Sequence, residues 1–116
     1  MTQENKELLL KDLCARLPYG VKVSTPDDVS RTITRMNIDR NLIEVGNYID
    51  DVYVLSDIKP YLFPLSSMTE EQKIELTCII DSDYAKIDWY NKNHFDYRGL
   101  IPKDLANDAT NLGIYK

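Results

Sequence analysis

The apolar positions of this chain change their period twice along its length. In residues 2–17, Leu9, Leu10, Leu13, Cys14 and Leu17 recur every three or four positions, the spacing of one buried helical stripe. Thr2 is suited to cap that helix, and Glu4 and Glu7 complement the positive end of its dipole. The sequence "LPYG" then stops it, because Pro18 cannot continue a helix and Gly20 permits a reversal.

From Val21 onward the period falls to two. "VKV", "RTITRM", "LIEV" and "DVYVL" alternate or are rich in β-branched residues, and the polar turns "STPDD", "NIDRN" and "GNYIDD" separate them. Asp50 and Asp51 read as turn residues. The pattern predicts roughly three to five short strands in an antiparallel meander, curled into a small sheet or an SH3-like barrel to protect its edges. In "KPYLFPLSS", Pro60 and Pro64 exclude helix and disfavour a central strand, which predicts an extended edge segment.

The helical period then returns. Thr69 and Gln72 have capping-box spacing, as do Ser67 and Glu70, and the helix that follows is expected to turn Ile74, Cys78 and Ile79 inward. "DSD" recaps the chain for a second helix carrying Tyr84, Ile87, Trp89 and Tyr90 and ending near Asn93. A turn at "IPKDLANDA" and a loose "TNLGIYK" complete the pattern. The predicted fold is α+β in one domain over residues 1–116. It comprises an N-terminal helix (1–17), a small antiparallel sheet or SH3-like barrel (20–65), and C-terminal helices with a tail (67–116) packed on it.

Composition narrows the function classes. With 43% hydrophobic and 28% charged residues, the chain has ordinary globular usage, and 116 residues suffice for a core without disulfides. Cys14 and Cys78 lie in apolar helical patterns and read as buried, reduced thiols, which suits a cytoplasmic compartment. The start "MTQENKELLLKDL" lacks the apolar core of a signal peptide, and no run approaches the ~20 apolar residues of a membrane span. A soluble cytoplasmic protein with no membrane partner is therefore expected. A net charge of −5 argues against sequence-independent nucleic-acid binding, which needs many Lys and Arg contacts to phosphate.

The chemistry available is sparse. A single histidine, His94, and two distant cysteines cannot build a multi-histidine zinc site or a CxxC pair, and the four glycines form no phosphate loop. Asp81, Asp83 and Asp88 have the chemistry of a cation site or an acid–base pair, but capping accounts equally well for "DSD". No catalytic residue, metal site or cofactor is assigned.

The most informative stretch is "NKNHFDYRGLIPK". Read as structure, Asn93 takes the left-handed position that ends a helix, and Phe95 folds back on that helix. Arg98 and Gly99 then turn, and Leu100 and Ile101 re-enter the core. His94 and Asp96 are cap or surface groups in this reading, and Tyr97 is an amphipathic lid. Read as a site, Lys92, His94, Tyr97, Arg98 and Lys103 border a recess with the chemistry for a phosphate-bearing nucleotide: cations for phosphate, rings for stacking. Arg31, Arg35 and Arg40 form a second basic group, with Arg31 and Arg35 on one strand face unless a bulge intervenes. Eight tyrosines against two phenylalanines, with Tyr48, Tyr53, Tyr61 and Tyr97 near segment ends, are consistent with a partner surface or a homo-oligomer.

Three blocks, "LLLKDLCARLPYGVKV" (8–23), "KPYLFPLSSMTEEQK" (59–73) and "NHFDYRGLIPKDLA" (93–106), together resemble a group of small proteins of gut Bacteroidales bacteria and their phages and mobile elements. The resemblance covers both ends and omits residues 24–56. It implies a small accessory protein that acts by binding; it transfers no activity and no site residue. Asp104 stands where "IPKGLA" would be expected, which weakens a glycine-dependent anion nest there.

The leading expectation is a non-enzymatic binding protein of a phage or mobile element that antagonises host defence by binding a host protein. Acidic charge would steer it to a basic partner. The alternative is sequestration of a nucleotide signal near Arg98. A metal-dependent phosphoester enzyme using Asp81, Asp83 or His94 ranks third.

Overall fold

A computed structural model describes residues 2–27, 30–46, 52–79 and 82–115; Tyr48, Asp50, Asp51 and Asp81 lie outside the described residues. Helix α1 (Gln3–Arg16) is followed by strands β1 (Lys22–Ser24), β2 (Ser30–Asn37), β3 (Leu42–Val45), β4 (Val52–Val54) and β5 (Lys59–Pro64). Helices α2 (Glu70–Cys78) and α3 (Asp83–Lys92) and the short strands β6 (Phe95–Asp96) and β7 (Asn107–Asp108) complete it. The architecture is α+β, with an N-terminal helix, a mixed sheet and C-terminal helices.

The sheet runs in the order β4-β3-β2-β1-β5-β6, and β7 also pairs with β5. The pairs from β4 to β5 are antiparallel; β6 and β7 join β5 in parallel. The meander thus forms where the period-two pattern places it. Ile43 and Val45 alternate inward on β3, and Val23 does so on β1.

The segment with two prolines is not an edge. β5 pairs with β1 through Pro60 and Lys59, with β7 through Tyr61 and Leu62, and with β6 through Phe63 and Pro64. Because each ladder spans only two residues, no long run needs the N–H groups that the prolines lack. Leu62, fully buried, anchors this strand in the core.

One hydrophobic cluster joins Leu9 and Leu13 of α1 to Val21, Val23, Ile33, Ile43 and Leu62 of the sheet region. Thr2 caps α1 by accepting from Asn5 N–H (3.1 Å), and Gly20 makes the reversal after Pro18 at φ 68°. The inward stripe of α1 differs from expectation. It contains Leu9, Asp12, Leu13 and Arg16, while Leu10 and Leu17 are half-buried and Cys14 is exposed. The stripe is rotated so that a charged pair faces inward.

Helix α2 starts with the expected capping box: Thr69 Oγ1 accepts from Gln72 N–H (3.1 Å) and Gln72 Oε1 accepts from Thr69 N–H (2.9 Å). None of its residues is buried, however. Ile74 is 62% exposed, Cys78 is exposed and Ile79, just beyond the helix, is half-buried. The Trp89 indole N–H reaches Glu75 Oε1 (3.0 Å) and ties α2 to α3.

Ser82 caps α3. This helix buries Trp89 and Asn91 but exposes Tyr84 and Ile87. Phe95 folds back as expected and stacks on Trp89, with ring centroids 5.5 Å apart. The left-handed residue is His94 (φ 62°) rather than Asn93, whose φ is −98°. Asn93 stays on the helix because both its backbone N–H and its side-chain amide donate to Trp89 C=O. The reversal therefore falls one residue later.

Candidate functional site

The structure separates the residues that the sequence reading grouped around Arg98. Tyr97 and Arg98 turn toward α1. Asp12 Oδ2 accepts from Arg16 Nε–H (2.8 Å), and Arg98 Nε lies 3.2 Å from Asp12 Oδ1. Both Asp12 and Arg16 are fully buried. Arg16 also donates to Phe95 C=O, and Arg98 donates to Tyr97 Oη (2.9 Å). The Tyr97 ring has the Arg98 guanidinium 4.9 Å from its centroid, the Arg16 guanidinium at 5.3 Å, and Tyr90 stacked against it at 5.5 Å.

Burial pushes the Asp12 carboxyl above its ordinary range, while Arg16 and Arg98 pull it down. Asp96 is buried rather than superficial: its two oxygens accept from Leu100 and Ile101 N–H (both 2.9 Å), which sets the turn through Gly99. Arg98 and Tyr97 thus lock the segment after α3 onto α1. The sequence carried a signal for this, since Leu9, Asp12, Leu13 and Arg16 share helical spacing.

Lys92 and His94 enter a different site. With Lys22, Gln72, Phe63 and Tyr115 they line a recess of about 520 Å³ that no carboxylate of the described residues lines. Tyr115 stacks on His94 with centroids 3.7 Å apart and lies 5.9 Å from Phe63. Its hydroxyl accepts from Lys22 N–H (2.7 Å) and donates to Tyr61 C=O (2.9 Å), and burial pushes its pKa up to about 12. His94 is held down to about 4 by burial and then by Arg16 and Lys22, so it is neutral at neutral pH.

A third feature was not foreseen. Between α1 with its following turn and α3 runs a groove of about 350 Å³. Ala15, Pro18 and Tyr19 form one wall; Tyr84, Ile87 and Asp88 form the other. Tyr84 is 86% exposed. Tyr19 Oη donates to Asp88 Oδ1 across the groove. Asn91, 5% exposed, lines its base, and its buried carboxamide oxygen has no hydrogen-bond partner among the described residues. Such an orphan is uncommon, because a buried acceptor without a partner is destabilising.

The remaining candidates are dispersed. Arg31 pairs with Asp27 (3.0 Å), and the register of β2 against β3 shifts between Ile33 and Arg35. That bulge breaks the simple alternation that would set Arg31 and Arg35 on one face, and Arg35 and Arg40 are exposed. Lys103 is exposed on the turn that follows Leu100, where neighbouring Asp104 takes φ 60° and pairs with Lys59 (2.9 Å).

Among the described residues, no group of three or more His, Cys, Asp or Glu is placed to hold a metal ion. No helix among them is long and apolar enough to cross a membrane. The chain matches no family model, and it matches no curated protein or solved structure.

Proposed function

We propose that this is a non-enzymatic binding protein that holds a partner protein in the groove between α1 and α3. The buried carboxamide oxygen of Asn91, without a partner among the described residues, in a groove walled mainly by apolar and aromatic side chains, carries the reading. A partner side chain with an apolar body and an N–H or O–H donor, such as tryptophan or tyrosine, would fill the groove and satisfy Asn91. Aromatic anchors of this kind dominate protein interfaces. Asp88 at the rim and a net charge of −5 favour a basic flanking segment.

An SH3-like barrel for β1 to β5 belongs to the same proposal. β5 returns beside β1 after one 3-10 turn (Leu55–Asp57), and the bulge in β2 supplies the bend that a curled sheet needs. Two exposed, unpaired cysteines suit a reducing cytoplasm. The likeness of its end blocks to small phage and mobile-element proteins makes a host protein, one acting in defence, the partner in this reading.

A photo-crosslinking residue at position 84, compared with one at exposed position 112, tests it. The proposal expects one crosslinked species from position 84 that is absent from position 112 and lost in Asn91→Leu. Equal labelling from both positions, or capture unchanged by Asn91→Leu, overturns it. A crosslinked second copy of the chain would replace the host partner with a homo-oligomer.

A further inference from the structure

The groove leaves the recess at the end of α3 without a role, although its lining has a definite chemistry. It draws Lys22 from β1, Lys92 and His94 from the end of α3, Gln72 from α2 and Tyr115 from the segment after β7. Neither lysine has a carboxylate within ion-pair distance among the described residues; Lys22 Nζ instead donates to Ile114 C=O (3.2 Å). Two other recesses among the described residues are lined in part by carboxylates: Asp39 and Glu44 in one, Asp88 in the other. On an acidic chain, the charged side chains that line this recess among the described residues are both cations. Its walls include the rings of Tyr19, Phe63, His94 and Tyr115, and its volume lies within the roughly 300–1,000 Å³ usual for small-ligand sites.

We propose that this recess binds a small phosphate-bearing ligand, the phosphate between Lys22 and Lys92 and any attached ring against the aromatic wall. Lys92 is exposed and reaches in from the last turn of α3, whereas Lys22 is half-buried and held by β1. One cation is therefore fixed and the other closes on the anion. The side-chain NH₂ of Gln72 remains to donate, since the capping box uses its backbone N–H and its carboxamide oxygen. The recess lies apart from the network around Asp12, so Arg98 holds the segment in place and does not touch the ligand.

His94 reports on this site directly. The charged groups acting on its ring among the described residues are Arg16 from α1 and Lys22 from β1; Lys92, from its own helix end, lines the same recess, and the neutral Tyr115 is stacked on it. All three charges are positive, and an anion in the recess opposes them.

Because the chain has a single histidine, one imidazole resonance can be followed by NMR during titration with inorganic phosphate, adenosine 5′-monophosphate and adenosine. The proposal expects phosphate or the monophosphate to raise the His94 pKa by about one unit, and adenosine to leave it in place. It expects Lys92→Glu to weaken the phosphate-bearing probes about tenfold or more, and Arg40→Glu, on the exposed turn after β2, to change them less than about twofold. A monophosphate binding much tighter than phosphate identifies a nucleotide-type ligand; equal binding identifies phosphate itself. No shift of His94 with either anion, an equal shift with adenosine, or equal losses in Lys92→Glu and Arg40→Glu overturns the proposal.

Discussion

Arg98 Nε lies 3.2 Å from Oδ1 of Asp12, a residue 86 positions earlier in the chain, and thereby fastens the segment after α3 to the first helix. The same carboxylate takes Arg16 on its other oxygen (2.8 Å) with no exposure of either side chain. The sequence block that most resembles a ligand site is therefore in large part a clamp.

Truncating that clamp should destabilise the fold. Asp12→Ala leaves two guanidinium groups without their carboxylate, one of them fully buried, and should cost about 3–5 kcal/mol in denaturant unfolding. Arg98→Ala, which leaves the Asp12–Arg16 pair intact, should cost less. Equal stability of wild type and Asp12→Ala would show that the pair contributes nothing.

Stability should also depend on pH through His94. Its folded pKa, about 4, lies below the ordinary 6.5, so the unfolded chain binds the proton more tightly. The contribution is complete above about pH 6.5 and is lost as pH falls toward 4; solvent screening of the partly exposed ring limits the swing to on the order of 1 kcal/mol. His94→Asn removes the titrating group and suits the left-handed backbone at φ 62°. Denaturation midpoints measured from pH 7 to pH 4 should therefore fall more steeply for wild type than for this variant.

The outer face of α2 should tolerate change. Ile74 and Cys78 lie four residues apart on a helix with no buried residue, so Ile74→Glu and Cys78→Ser should each shift stability by less than about 0.5 kcal/mol. Cys14 and Cys78 should both react with a thiol reagent in the native protein at rates near those of the unfolded chain. Slow modification of either thiol would place it in a core after all.

Which parts of this molecule were legible in its sequence follows from where local chemistry decides. The cap at Thr2, the stop at Pro18 and Gly20, the capping box at Thr69 and the meander of β1 to β4 depend on residues close in sequence. The rotation of α1 depends on a partner 86 residues away, and hydrophobicity alone favoured Cys14 over Asp12 on its inner face. β5 became central because β6 and β7 joined it from the far end of the chain, which Pro60 and Pro64 gave no reason to expect. Lys92 and His94, grouped in the sequence reading, do line one recess, but the spacing of a turn could not show that Arg98 points elsewhere. Asn91 was overlooked because a polar residue between Tyr90 and Lys92 on an amphipathic helix reads as solvated surface.

Asn91 carries the central claim, and its stability measured in the absence of any partner tests it most directly. If its carboxamide awaits a partner's hydrogen bond, then Asn91→Leu removes an unsatisfied buried acceptor, and the free protein should unfold at an equal or higher denaturant concentration than wild type. A loss of more than about 1 kcal/mol would mean that the carboxamide is already satisfied within the fold, and the groove between α1 and α3 would lose its claim to be the binding site.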